Sequence, residues 1–121
     1  METVALTAES LSSFLARFSE FADSLIEDVH IHWPRLSAGR VLTLHVLTQD
    51  IESPSGWSRV RLSIEDTTGF ELREDPGTYM VIRDGLSFAW KDGEVAVTQQ
   101  EEDDWHIRGR RVTWVANPYE G

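Results

Sequence analysis

His30 and His32 stand two positions apart in EDVHIHWPR, residues 27–35, and His45 follows in VLTLHVLT. An imidazole can ligate a metal, exchange a proton near neutral pH or hydrogen-bond an anion. If Leu36 to Gly39 form a hairpin tip with Arg35 facing Arg40, Trp33 falls opposite Leu42, Ile31 opposite Leu44 and Val29 opposite Val46, so the apolar faces match. That register sets His30 directly opposite His45 and His32 opposite Thr43, gathering three imidazoles as a zinc site would. Pairing the next strand in the same way puts Val46 against Val60, Arg61 beside His45 and Arg59 beside Leu47. A guanidinium repels a divalent cation. His30, His32, His45, Arg59 and Arg61 therefore suit a bound anion or polar small molecule better than a metal. The plainest reading is a solvated sheet face, which needs polar residues at alternate positions whether or not anything binds there.

The run Glu101, Glu102, Asp103, Asp104 lacks the alternating ligand spacing and distal Glu of an EF-hand loop. Like charges in a block repel and extend, so a solvated loop is the default, with docking of a basic protein as its functional use. Trp57, after DIESPSG, and Trp105, after the acidic run, are candidate exposed anchors for that partner, while Phe88, Trp90 and Trp114 alternate with polar residues as core does. Arg108, Arg110 and Arg111 form a short basic cluster in an acidic chain, and pairing with the acidic loop accounts for it. His45 with Glu65 or Asp66 would make an acid/base pair, a combination that chance supplies in most domains. No G-x-S-x-G, G-x-G-x-x-G, H-E-x-x-H or phosphate-cradling glycine loop is present, so no catalytic residue is assigned.

Charge narrows the partners. The 121 residues carry 21 Asp and Glu against 11 Lys and Arg, a net charge of −10, which opposes nucleic-acid phosphates and anionic membrane and favours basic proteins. With no cysteine there is no disulfide, thiolate nucleophile or thiolate-bound zinc. METVALTAES carries no cationic stretch ahead of an apolar run, and no segment approaches the roughly 18 apolar residues of a membrane span. A cytoplasmic chain without a cofactor is expected.

Those residues need elements to hold them. In TAESLSSFLARFSEFADSLI, Leu11, Phe14, Leu15, Phe18, Phe21, Ala22 and Leu25 recur at steps of three and four, predicting one amphipathic helix over about 7–25, N-capped by Thr7 and with Glu9 in its first turn. Beyond residue 26 the period becomes two, predicting strands near 26–33, 40–48, 57–65, 69–73, 79–83, 86–90, 94–98 and 105–115, with Asp-Gly turns at 84–85 and 92–93. Trp105 and Ile107 are odd-numbered whereas Val112 and Trp114 are even, so a bulge or tight turn is expected at Gly109.

The whole chain, 1–121, then reads as one α+β domain: the N-terminal helix packed on a curved, mainly antiparallel meander sheet of about seven to eight strands, or else plugging a partly closed barrel. The composition and the motif search favour an interaction domain without catalysis, an inhibitor or immunity-type protein that binds a basic partner. The alternative is a small-molecule or anion-binding domain, enzymatic in one version, that uses the His/Arg cluster. Both a monomer and a homodimer are compatible with this, the latter through Val41 and Leu47 on the polar sheet face.

Overall fold

The computed structural model describes residues 3–34, 39–73, 81–100 and 105–120, with Trp105 described by its backbone alone. The expected α+β class is found, but its parts are arranged differently. Among the described residues ten strands form two antiparallel sheets rather than one sheet or a closed barrel. The strands are β1 (Val4–Leu6), β2 (Ser24–His32), β3 (Val41–Gln49), β4 (Trp57–Glu65), β5 (Gly69–Leu72), β6 (Val81–Ile82), β7 (Leu86–Lys91), β8 (Glu94–Gln99), β9 (Trp105–Gly109) and β10 (Arg111–Pro118). The larger sheet runs β1-β10-β4-β3-β2-β6 and the smaller β5-β9-β8-β7.

The helix is much shorter than its apolar spacing predicts. Helix α1 spans Leu11–Arg17, and Ser10, not Thr7, stands at its N-cap position. Thr7 instead exchanges hydrogen bonds with Ser10, and Glu9 lies before the first turn. A 3₁₀ turn, Ser19–Phe21, follows, with Ser19, Glu20, Phe21 and Asp23 all at positive φ. A left-handed residue costs about 1 kcal/mol or more, whereas leaving a Phe in water forfeits about 2–3 kcal/mol. Burial decides. Phe14, Phe18 and Phe21 pack on one another in edge-to-face and tilted contacts at 5.3–5.4 Å between ring centroids, and Phe14 also meets Phe88 of β7 at 5.8 Å and Trp114 of β10 at 5.2 Å. Leu25, expected on the helix, lies on β2 and is 43% exposed.

One apolar cluster joins both sheets to α1. Leu42, Leu44 and Val46 of β3, Val60, Leu62 and Ile64 of β4, and Val112 of β10 face Leu86, Val95, Val97 and Ile107 of the smaller sheet. The predicted strand over 105–115 is two strands because the chain changes sheets at Gly109. A Cβ added there would lie 2.5 Å from Ile64 Cγ2 and 2.8 Å from the Glu65 carbonyl oxygen, so only glycine allows this approach.

The β3/β4 register is the expected one, His45 opposite Arg61 and Val46 opposite Val60. The β2/β3 register is not. A bulge between Ile26 and Asp28 turns the inward set from Ser24 and Ile26 to Val29 and Ile31, and pairing ends with His32 opposite Val41. Relative to the predicted hairpin the pairing slides by two residues, which preserves the faces while changing every cross-strand partner. Trp33, predicted inward against Leu42, leaves the ladder and is 60% exposed. No helix of the described residues is long and apolar enough to cross a membrane.

Candidate functional site

The outer face of the larger sheet carries the predicted His and Arg residues, ordered by the ladder into rows. One row runs Asp28, His45, Arg61, Val115 across β2, β3, β4 and β10. The next runs His30, Thr43, Ser63, Thr113, and another places His32 opposite Val41 with Glu65 and Arg111 beyond. His30 is therefore opposite Thr43 and only diagonal to His45, a correction to the three-imidazole cluster that follows from the two-residue slide. Among the described residues no three His or carboxylate side chains are grouped so as to hold a metal ion.

Arg59 is engaged elsewhere. Its Nε donates to Glu27 Oε1 at 2.8 Å and its guanidinium lies 4.7 Å from the Tyr119 ring centroid. The hydrogen bond to Glu27 raises its already high pKa. Glu65 accepts from Arg111 Nη2 at 2.6 Å and from Thr113 Oγ1 at 3.1 Å, and it lies four residues along β4 from the partner of His45, about 13 Å at strand spacing. The acid/base pair of His45 with Glu65 is not assembled. Arg111 finds its carboxylate on β4, so its role differs from the predicted pairing with the acidic run. Leu47 faces Leu25 across the β2/β3 ladder, and Val41 is half-buried.

Trp57, predicted as an exposed anchor, is half-buried at the start of β4, where its carbonyl accepts the Tyr119 amide at 2.9 Å. With Ser19, Gln49, Asp50, Ile51 and Gly56 it borders a shallow cavity of about 260 Å³. Glu101, Glu102, Asp103 and Asp104 lie outside the described residues, as does the Trp105 side chain; the Trp105 backbone pairs with Leu72.

Two arrangements escaped the sequence reading. Asp50, 1% exposed, accepts from Arg17 Nε at 2.9 Å and Nη2 at 3.1 Å, from Ser58 Oγ at 2.6 Å and from the Glu52 amide at 2.9 Å. Burial pushes its carboxyl pKa up, but these hydrogen bonds and the Arg17 charge outweigh that and hold it below the ordinary value. The partners are 33 residues apart, beyond any local spacing rule. The second is a cleft of about 490 Å³ lined by Trp33, Gly39, Arg40, Asp66, Thr67, Thr68 and Arg110, where three chain connections converge, β2 to β3, β4 to β5 and β9 to β10. Pro34 was its available signal, because proline has no N–H to donate and so tends to end a ladder.

No protein-family model matches the chain, and neither the curated proteins nor the solved structures give a significant match.

Proposed function

We propose that the chain is a non-catalytic interaction domain that binds a basic protein, in the manner of an inhibitor or immunity-type protein acting on a toxin enzyme. One observation supports this reading: four of the eleven basic side chains are neutralised by carboxylates among the described residues, while the acidic excess faces outward. Arg17 pairs with Asp50, Arg59 with Glu27, Arg73 with Glu71 and Arg111 with Glu65. Removing equal charges leaves the net −10 unchanged, and Glu9, Glu20, Asp23, Asp28, Asp84 and Asp92 are among the exposed carboxylates that express it. Such a field accelerates encounter with a cationic surface and rejects anionic ones. Glu101 to Asp104 with Trp105 is the docking segment to test first, and the half-buried Trp57 is a secondary position.

The test is affinity capture from host-cell lysate on immobilised protein, followed by association kinetics with the recovered partner. The expected partner is strongly basic, with an on-rate falling about tenfold or more between about 20 mM and 0.5 M salt. Retention of acidic proteins alone, or association insensitive to salt, would overturn the proposal.

A second reading, binding of a small anion, draws support from Arg61, which lies exposed directly opposite His45. Native mass spectrometry of the purified protein tests it: a retained organic anion, lost on replacing His45 and Arg61, is the expected result, and a bare mass opposes it.

A further inference from the structure

We propose that the cleft beside Trp33 is a binding site for a small aromatic acid, a flat molecule carrying one carboxylate and a hydrogen-bond donor, independent of the protein-docking role above. The cleft lies where Trp33 leaves β2, Gly39 and Arg40 enter β3, Asp66 to Thr68 link β4 to β5, and Arg110 links β9 to β10. Its volume of about 490 Å³ falls within the range of small-molecule sites, and loops at one end of a sheet are where such sites commonly lie.

The charges decide the ligand class. Arg40 donates from both Nε, at 3.1 Å, and Nη2, at 2.9 Å, to the Thr67 carbonyl, and the Thr67 amide donates back to the Arg40 carbonyl at 2.9 Å. A backbone carbonyl fixes this guanidinium without cancelling its charge, unlike the carboxylates that hold Arg17, Arg59, Arg73 and Arg111. Among the described residues Nη1 makes no hydrogen bond, which leaves its donors for a ligand. Among the described residues neither Arg40, Arg110 nor Asp66 takes part in an ion pair. Two cations and one carboxylate leave the cleft locally positive in an acidic chain. A monoanion fits that balance, and Asp66 can accept from an amino or hydroxyl group on the same molecule. A dianion would meet both Asp66 and the net negative field, while an amine would meet two guanidiniums. Trp33, 60% exposed on the rim, offers an indole face on which a flat ring can stack.

The test is a ¹H–¹⁵N NMR titration of the intact protein with p-aminobenzoate, benzoate and benzylamine as probes. The expected result is saturable shifts of the Arg40, Thr67 and Thr68 amides with p-aminobenzoate at a Kd of about 1 mM, the affinity open to so small a fragment. Benzoate should bind about threefold more weakly for want of the donor, and benzylamine at least tenfold more weakly. Arg110→Gln and Trp33→Ala, both exposed positions whose loss leaves the core intact, should each weaken p-aminobenzoate at least fivefold; Arg40→Gln should abolish saturation. Equal binding of benzylamine, absence of saturation below about 20 mM, or affinity unchanged in both Arg110→Gln and Trp33→Ala would overturn the site.

Discussion

Arg17 and Asp50 face each other through two parallel hydrogen bonds, Nε to Oδ1 at 2.9 Å and Nη2 to Oδ2 at 3.1 Å, and so fasten the end of α1 to the turn that follows β3. The backbone repeats the link, the Ile51 amide donating to the Arg17 carbonyl at 3.2 Å. The Arg17 guanidinium also lies 4.8 Å from the Phe18 ring centroid and 5.5 Å from that of Trp114, so one side chain ties a loop, a helix and the aromatic cluster together.

Breaking this pair should be asymmetric. Asp50 is 1% exposed and the Arg17 side chain 24%, so Arg17→Met strands a buried carboxylate and should cost about 3–4 kcal/mol. Asp50→Ala leaves a cation that can still reach water and should cost about 2 kcal/mol. Urea unfolding of the two variants measures the order; equal costs would show that the carboxylate is not held as described.

The same carboxylate sets an acid limit. Its folded pKa lies below the ordinary value of about 3.9, so its stabilisation is fully present above that value and disappears as pH falls through the depressed one. Asp50→Asn removes this dependence. Between about pH 5 and pH 2 the melting temperature of the parent should fall further than that of Asp50→Asn, after both are referred to their values at neutral pH. Parallel curves would contradict the assignment.

Gly109→Ala should be among the most damaging single substitutions, because the new methyl would meet Ile64 Cγ2 at 2.5 Å and the Glu65 carbonyl at 2.8 Å. A loss of about 3 kcal/mol is expected by analogy with overpacked cores. Gly93→Ala, with φ +77 and nothing within 4 Å of the added methyl, is the comparison and should cost about 1 kcal/mol through backbone strain alone. Thermal unfolding of both variants checks the ranking.

Replacing His30, His32 and His45 together by Ala should change stability by less than about 1 kcal/mol, since all three sit on the outer face of the sheet. Zinc should then shift the melting temperature of parent and variant alike. A rise confined to the parent would mean that the imidazoles converge on a metal after all.

Alternation made the central strands legible. β3 and β4 each bury one side of a continuous run, so their shared register follows from matching apolar faces, down to His45 opposite Arg61. The same rule is blind to slides of two residues, because every such slide preserves the faces, and this is where the His30 and His45 pairing went astray. The helix was overextended for a related reason. Spacing reports which side chains seek the core, and Phe21 does so from a left-handed turn as well as from a helix. β1 is three residues long, too short for any period to register. The cleft at Trp33 and the Arg17–Asp50 pair depend on tertiary approach, which no local pattern encodes.

The pairing of β1 with β10 also bears on synthesis. Val4 lies opposite Trp114 and Leu6 opposite Val112, so β1 finds its neighbour only after the roughly 100 residues between them have been translated. Until then Leu6 and the Phe14, Phe18 and Phe21 cluster lack Trp114 and β10 as cover. A nascent chain must therefore carry this apolar segment without that cover until β10 is made. Ribosome-bound chains that lack β10 thus expose apolar surface of the kind chaperones bind.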